Sequence, residues 1–129
     1  MNPGLEGKRY PEATFLVDPD RVAAFRAIFG AREGVPPTFA TAAEFMVFPD
    51  IVGDPELALD YRRVVHGSQD YAHHRPLVEG EVLRVCSRLD SIRSKGNTGF
   101  LTIVTDLVGA DGRIACTARS TMIERGVGS

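Results

Sequence analysis

The sequence predicts an α+β domain in which a curled antiparallel sheet wraps around a central apolar helix. Two observations carry that expectation. From Thr38 to Phe48 the chain is apolar nearly all round, as a helix buried on most sides has to be. The C-terminal half is a run of β-rich segments separated by turn dipeptides. A sheet that curls over the helix lets the two parts bury each other. One sheet covers a helix incompletely, so a second copy or a partner is expected to complete the burial.

Each element has its own signal. Ala13 to Val17 is a short β-prone run that ends at Asp18-Pro19-Asp20, a strong helix start: Asp18 can cap, Pro19 suits the first turn and Asp20 favours the dipole. Val22, Phe25, Ile28 and Phe29 then share one helical face, and Gly30 stands where a C-terminal cap belongs. Pro36-Pro37-Thr38 opens the central helix, with Thr38 as N-cap. Phe39, Ala40, Ala42, Ala43, Phe45, Met46, Val47 and Phe48 make it apolar, and Pro49 is expected to stop it. Glu44 is the single charge inside that run. Asp54-Pro55 repeats the cap-plus-proline start and predicts a third, brief helical turn.

From Tyr61 the signals turn to β. Arg63 to His74 forms one strand, and Glu81 to Arg93 another, with Leu83, Val85 and Leu89 alternating. Lys95-Gly96-Asn97 makes a turn. Phe100 to Val108 is β-branched enough to be buried on both faces. Asp111-Gly112 is a hairpin dipeptide before the closing strand, Arg113 to Glu124. Gly126 to Ser129 should fray.

Composition narrows the function classes. The 129 residues suit one domain, residues 1–129, and 43% hydrophobic with 25% charged residues is an ordinary globular balance. A formal charge of −2 gives no field to draw in nucleic acid. No apolar run approaches the roughly 20 residues of a membrane span, and the N-terminus lacks the features of a secretory signal. Cys86 and Cys116 form no CxxC pair and read as small core residues or reduced thiols. These features together predict a cytoplasmic protein with no membrane or nucleic-acid partner.

The three histidines invite a metal reading, because His66, Asp70 and His74 are spaced by four. On a strand they share a face, yet at 3.3 Å per residue His66 and His74 lie roughly 26 Å apart, too far for one ion. No metal site is therefore expected. Ser68, Ser87 and Ser120 lack any nucleophile elbow, and Ser94 to Gly99 reads as a plain turn between strands. Arg62, Arg63, His73, His74, Arg75, Arg84 and Arg88 cluster on successive segments. They either hold the phosphates of a coenzyme A or phosphopantetheine group, or balance Asp70, Glu79, Glu81 and Asp90 on a solvated face. Glu44 has two open readings as well: a general base with a raised pKa, or a carboxylate that reaches the helix edge.

The run His66-Gly67-Ser68-Gln69-Asp70-Tyr71-Ala72-His73-His74-Arg75-Pro76-Leu77, followed by Gly80, resembles the "HGxQxFxYHRPL…G" stretch of the N-terminal MaoC-like dehydratase domain, which has the hot-dog fold. Pro36-Pro37-Thr38-Phe39 is similar to that domain's "PPTF" entry to its central helix. Lys95-Gly96 through Leu101, Asp111-Gly112 and Arg119-Ser120-Thr121 resemble its later strands. The resemblance covers about Ala13 to Gly126.

The family hydrates enoyl thioesters or dehydrates 3-hydroxyacyl thioesters on coenzyme A or acyl carrier protein, with no further cofactor. Its catalytic members use an Asp and a His from a "DxNPxH" segment just before the central helix. Here that segment is Gly30 to Pro37, with no Asp, Asn or His, so neither catalytic residue carries over. What the resemblance implies is a chain similar to the non-catalytic subunit of heterodimeric (R)-3-hydroxyacyl thioester dehydratases. Its expected partners are an acyl thioester and either a second copy or a catalytic MaoC-like subunit.

The candidate substrate-binding residues are Thr38, Phe39, Ala40, Gln69, Tyr71, His74 and Arg75, with backbone N–H groups near Phe39 and Ala40 available to polarise a carbonyl. Two other functions stay open. One is a self-sufficient thioesterase or hydratase using Glu44, His66 or His74. The other is a module that only binds acyl groups or scaffolds a complex.

Overall fold

The computed structural model describes residues 1–29 and 34–126, with Phe29 described in its backbone alone. A five-stranded antiparallel sheet in the order β1-β3-β4-β5-β2 curls around the helical segments. The strands are β1 (Ala13–Leu16), β2 (Val64–His73), β3 (Val82–Lys95), β4 (Thr98–Val108) and β5 (Ile114–Glu124). β3, β4 and β5 form a meander. The β4–β5 connection turns at Gly112, whose φ of 80° lies in the left-handed region that favours glycine, as the Asp-Gly dipeptide predicts. β4 lies at the centre of the sheet, buried on its inner face and half-buried at Phe100, Thr102 and Asp106 on the other.

Strand register builds the inner face row by row. Leu89, Ile103, Ser120 and Gln69 pair across β3, β4, β5 and β2, and the next row is Ile92, Leu101, Met122 and His66. The row on the other side, Ser87, Thr105, Ala118 and Tyr71, buries a hydroxyl pair in which Ser87 Oγ and Thr105 Oγ1 meet at 2.7 Å. Pairing satisfies both hydroxyls where an unpaired one would be costly. At β2 the rows thus end in polar side chains, and that edge becomes the candidate site.

The first helix, α1 (Pro19–Phe29), starts at the predicted Asp-Pro signal. Val22 is buried and Phe25 rests edge-on against Phe39, with ring centroids 5.4 Å apart. Ile28 departs from expectation: it is 76% exposed, because the contact face runs through Val22 and Phe25 and turns away from it. The Gly30 cap lies outside the described residues, as does residues 127–129 of the expected fraying tail.

The central helix is not one continuous rod. Pro37–Phe39 is a 3₁₀ turn, α2 (Ala40–Glu44) follows, Phe45–Val47 is a turn, and α3 (Phe48–Val52) comes next. Pro49 therefore opens a helix instead of stopping one. It stands in the first turn of α3, where its missing N–H costs nothing. The break also corrects the expectation of burial on most sides. Phe39, Ala40, Ala43 and Val47 are buried, but Phe45 and Met46 are 58% and 47% exposed. Asp54-Pro55 yields a hydrogen-bonded turn, Leu57 N–H to Asp54 O, and not a helix. Asp54 does something else. Its Oδ2 accepts from Lys8 Nζ at 2.7 Å and Tyr10 Oη at 2.8 Å, fastening the N-terminal segment beside α3 and holding its carboxyl down at about 2.

Candidate functional site

The site begins with a defect in β2. Pairing with β5 runs regularly through Val64, Val65 and His66, then slips between His66 and Ser68, so Gly67 is an extra residue in the ladder. A side chain is poorly tolerated there: a Cβ at Gly67 would sit 2.9 Å from Ile123 Cδ1 and 3.3 Å from Thr121 O. The bulge shifts the strand's alternation by one. His66, Gln69, Tyr71 and His73 consequently share the inner face, opposite Met122, Ser120, Ala118 and Cys116. The sequence reading that placed His66, Asp70 and His74 on one face is thereby overturned, since Asp70 and His66 end on opposite sides. Among the described residues, no three His, Cys, Asp or Glu side chains come together as a metal centre.

Opposite this strand, α2 presents Glu44 and, one turn earlier, Thr41. Gln69 Nε2 donates to both carboxylate oxygens of Glu44, at 3.0 Å to Oε1 and 3.1 Å to Oε2. Tyr71 Oη donates to Oε1 at 2.8 Å and is itself in contact with Thr41 Oγ1. Because Tyr71 spends its proton on the carboxylate, Thr41 is the donor to Tyr71. His66 Nε2 lies 3.1 Å from Ser120 Oγ.

These groups form the polar end of a half-open pocket of about 280 Å³, with Thr41, Glu44, His66, Gln69 and Ser120 on one side. Phe45, Phe48, Tyr61, Val64 and Met122 supply its apolar wall. Phe48 meets Phe45 and Tyr61 edge-on, at centroid distances of 5.7 and 6.2 Å. Greasy walls with a few convergent polar groups are what small-molecule sites are made of.

Burial pushes the Glu44 pKa up, and the Tyr71 and Gln69 hydrogen bonds and the His66 charge pull it only part of the way back. The sign for stability follows. A carboxyl with a raised folded pKa is penalised above that pKa, and the penalty disappears below the ordinary value near 4.5. Glu44→Gln should therefore unfold at a higher temperature than the parent at pH 7. The gap should close as the pH falls toward 4.5, which paired thermal melts across pH will measure.

The remaining sequence candidates fall elsewhere. Thr38 is exposed, while Phe39 and Ala40 are buried in the core and do not line the pocket. The expectation of free N–H groups there is corrected: Phe39 N–H bonds Pro36 O at 2.9 Å, and Ala40 N–H bonds within the same 3₁₀ turn. His74 and Arg75 border a different hollow, with Val35, Pro37 and His73. There Arg75 grips Glu81 with two hydrogen bonds, 2.9 and 2.7 Å, and His73 Nε2 contacts Pro37 O at 3.0 Å. The predicted basic cluster is dispersed in the same way, Arg62 and Arg63 onto Asp60, Arg84 onto Glu12 and Arg88 onto Asp106. Acids balance these arginines, but of the four expected only Glu81 and Asp90 pair with them, and Asp60, Glu12 and Asp106 do the rest. Cys116 is buried, its thiol pushed up to about 11.

A family model for the FAS1-like dehydratase domain region matches residues 17–118. The chain belongs to that family. The MaoC-like, hot-dog character read from its motifs is borne out with it. A UPF0336 protein of Saccharopolyspora erythraea is 44% identical over 91 residues, a match covering 70% of this chain and 58% of that protein's length. One from Leifsonia xyli subsp. xyli is 28% identical over 98% of this chain and 97% of its own. Among solved structures, the C-terminally truncated HadBC (3R-hydroxyacyl-ACP dehydratase) complex of Mycobacterium tuberculosis superposes with a TM-score of 0.76. It is 19% identical and covers 92% of this chain and 96% of its own, a likeness of fold.

Sequence reasoning singled out Glu44, His66, Gln69 and Tyr71, and the fold gathers them; it missed Thr41, Tyr61 and Ser120 as members of the same site. Thr41 was within reach, being three residues before Glu44 on one helix. Ser120 faces the pocket only through the β5–β2 register, which no local pattern reveals.

Proposed function

We propose that this dehydratase-family domain binds an acyl thioester of coenzyme A or acyl carrier protein and serves as the partner-dependent subunit of a 3-hydroxyacyl dehydratase or enoyl hydratase. The observation that carries this reading is the pocket itself, an apolar wall of Phe45, Phe48, Val64 and Met122 leading to a polar end. Such a cleft suits an acyl group joined to a polar carrier. The segment before α2 offers no Asp or His for the family's acid–base step, so the chemistry would come from a catalytic MaoC-like chain.

Two surface features support a partner. β2 is an edge strand ten residues long, and an open edge of that length invites pairing. The exposed apolar side chains of Phe45 and Tyr61 adjoin it. No described helix is long and apolar enough to cross a membrane, which gives these residues no role as a span.

One observation favours a second reading. Glu44 and His66 line the same pocket, as a self-sufficient hydratase or thioesterase would require. Hydration of a short enoyl-CoA by the purified chain, alone and with candidate MaoC-like subunits, separates the two. Activity that appears only with a partner, in a complex seen by native mass spectrometry, supports the first reading. Strong hydration or thioester hydrolysis by the chain alone, lost in Glu44→Gln, replaces it with the second.

A further inference from the structure

A half-buried carboxylate beside an apolar wall is a costly object, and its hydrogen bonds show what it is prepared to meet. Glu44 Oε1 is occupied, accepting from Tyr71 at 2.8 Å and Gln69 at 3.0 Å. Oε2 has only a share of the same Gln69 amide, at 3.1 Å. Each carboxylate oxygen can accept two hydrogen bonds, so Oε2 retains capacity toward the pocket. Gln69 and Tyr71 stand on β2 and Glu44 on α2, so two elements fix the orientation of the group. On the facing wall Phe45, Phe48 and Val64 have no side-chain polar atom to offer, and Tyr61 brings a hydroxyl.

We propose that Glu44 is the specificity-determining group of this pocket, taking the hydroxyl of a hydroxyacyl thioester at Oε2, with Gln69 and Tyr71 as the residues that position it. The inference rests on the acyl-binding reading above. An acyl group entering the pocket excludes solvent from the carboxylate. A saturated or enoyl chain brings no donor and leaves Oε2 unsatisfied, whereas a hydroxyl restores the lost hydrogen bond. A hydrogen bond to a charged group makes the difference on the order of tenfold or more in affinity. The pantetheine arm also carries donors, its amide N–H groups, so the acyl group must be varied while the carrier stays the same.

The test is calorimetric titration of the full chain with 3-hydroxybutyryl-CoA, butyryl-CoA and crotonyl-CoA. The expected result is about tenfold tighter binding of the hydroxylated ligand than of the other two. In Glu44→Gln the Gln69 amide selects the new carbonyl oxygen and turns an NH₂ toward the ligand. The ratio should then fall to about threefold, the square root of ten, since a neutral pair is roughly half as strong. Tyr71→Phe, which leaves the charge but removes one of its anchors, should give an intermediate ratio. Equal binding of all three by the parent chain overturns the inference and leaves the acyl-binding reading standing. So does a loss in Glu44→Gln that is the same for every ligand, which would place Glu44 against the carrier arm or in the framework. Failure of the parent chain to bind any of the three sinks the acyl-binding reading, and this inference with it.

Discussion

Phe39→Ala should lower the unfolding free energy by about 3–5 kcal/mol, the usual cost of deleting a buried aromatic ring. The ring is 2% exposed and packs between Phe15 of β1, at 5.9 Å, and Phe25 of α1, at 5.4 Å. It therefore ties the sheet, the first helix and the entry to α2 at one point. Aromatic pairs of this kind add to the burial term. The sequence resemblance places Phe39 at a substrate-binding position, so the substitution also decides what the residue does. A framework anchor gives a large fall in the urea midpoint, and any change in ligand affinity tracks the fraction folded. A residue that touches ligand would instead lose affinity with the midpoint nearly unchanged. Urea titration with and without an acyl-CoA measures both.

The fold was legible because its signals are local. Asp18-Pro19-Asp20, the alternation of Leu83, Val85 and Leu89, and the Asp111-Gly112 turn each speak for one element and agree with one another. The central helix was legible in composition but not in its interruption. Pro49 ends a helix or opens one depending on where the previous turn relaxes, and the run of apolar residues does not say. The site was half legible. Glu44 stands out as a lone charge in an apolar run, and Gln69 and Tyr71 stand out in the motif. That the two motif residues serve the carboxylate is a matter of tertiary register. The spacing of the histidines misled for the same reason: counting by twos along a strand assumes an unbroken ladder, and Gly67 breaks it.

Deleting Gly67 tests whether the site depends on the extra residue or only on the register around it. Paired residues on neighbouring strands point to the same side of a sheet, and the pairs His66–Met122 and Ser68–Thr121 flank Gly67 with adjacent partners on β5. Without Gly67 the ladder can close between those two pairs with no change of partner. His66, Gln69, Tyr71 and His73 would then stay on the inner face, now at an unbroken spacing of two. The deletion variant should therefore keep the Glu44–Gln69–Tyr71 cluster and the His66–Ser120 contact. Gly67→Val should be the costlier change. It keeps the extra residue and adds a side chain whose Cβ would sit 2.9 Å from Ile123 Cδ1 and 3.3 Å from Thr121 O, so the strands must shift, at about 1–3 kcal/mol. NMR contacts of the His66 ring with Ser120 and Met122, alongside urea melts of both variants, separate the two effects. If those contacts vanish in the deletion variant, the extra residue itself, and not the register around it, aims His66 into the pocket.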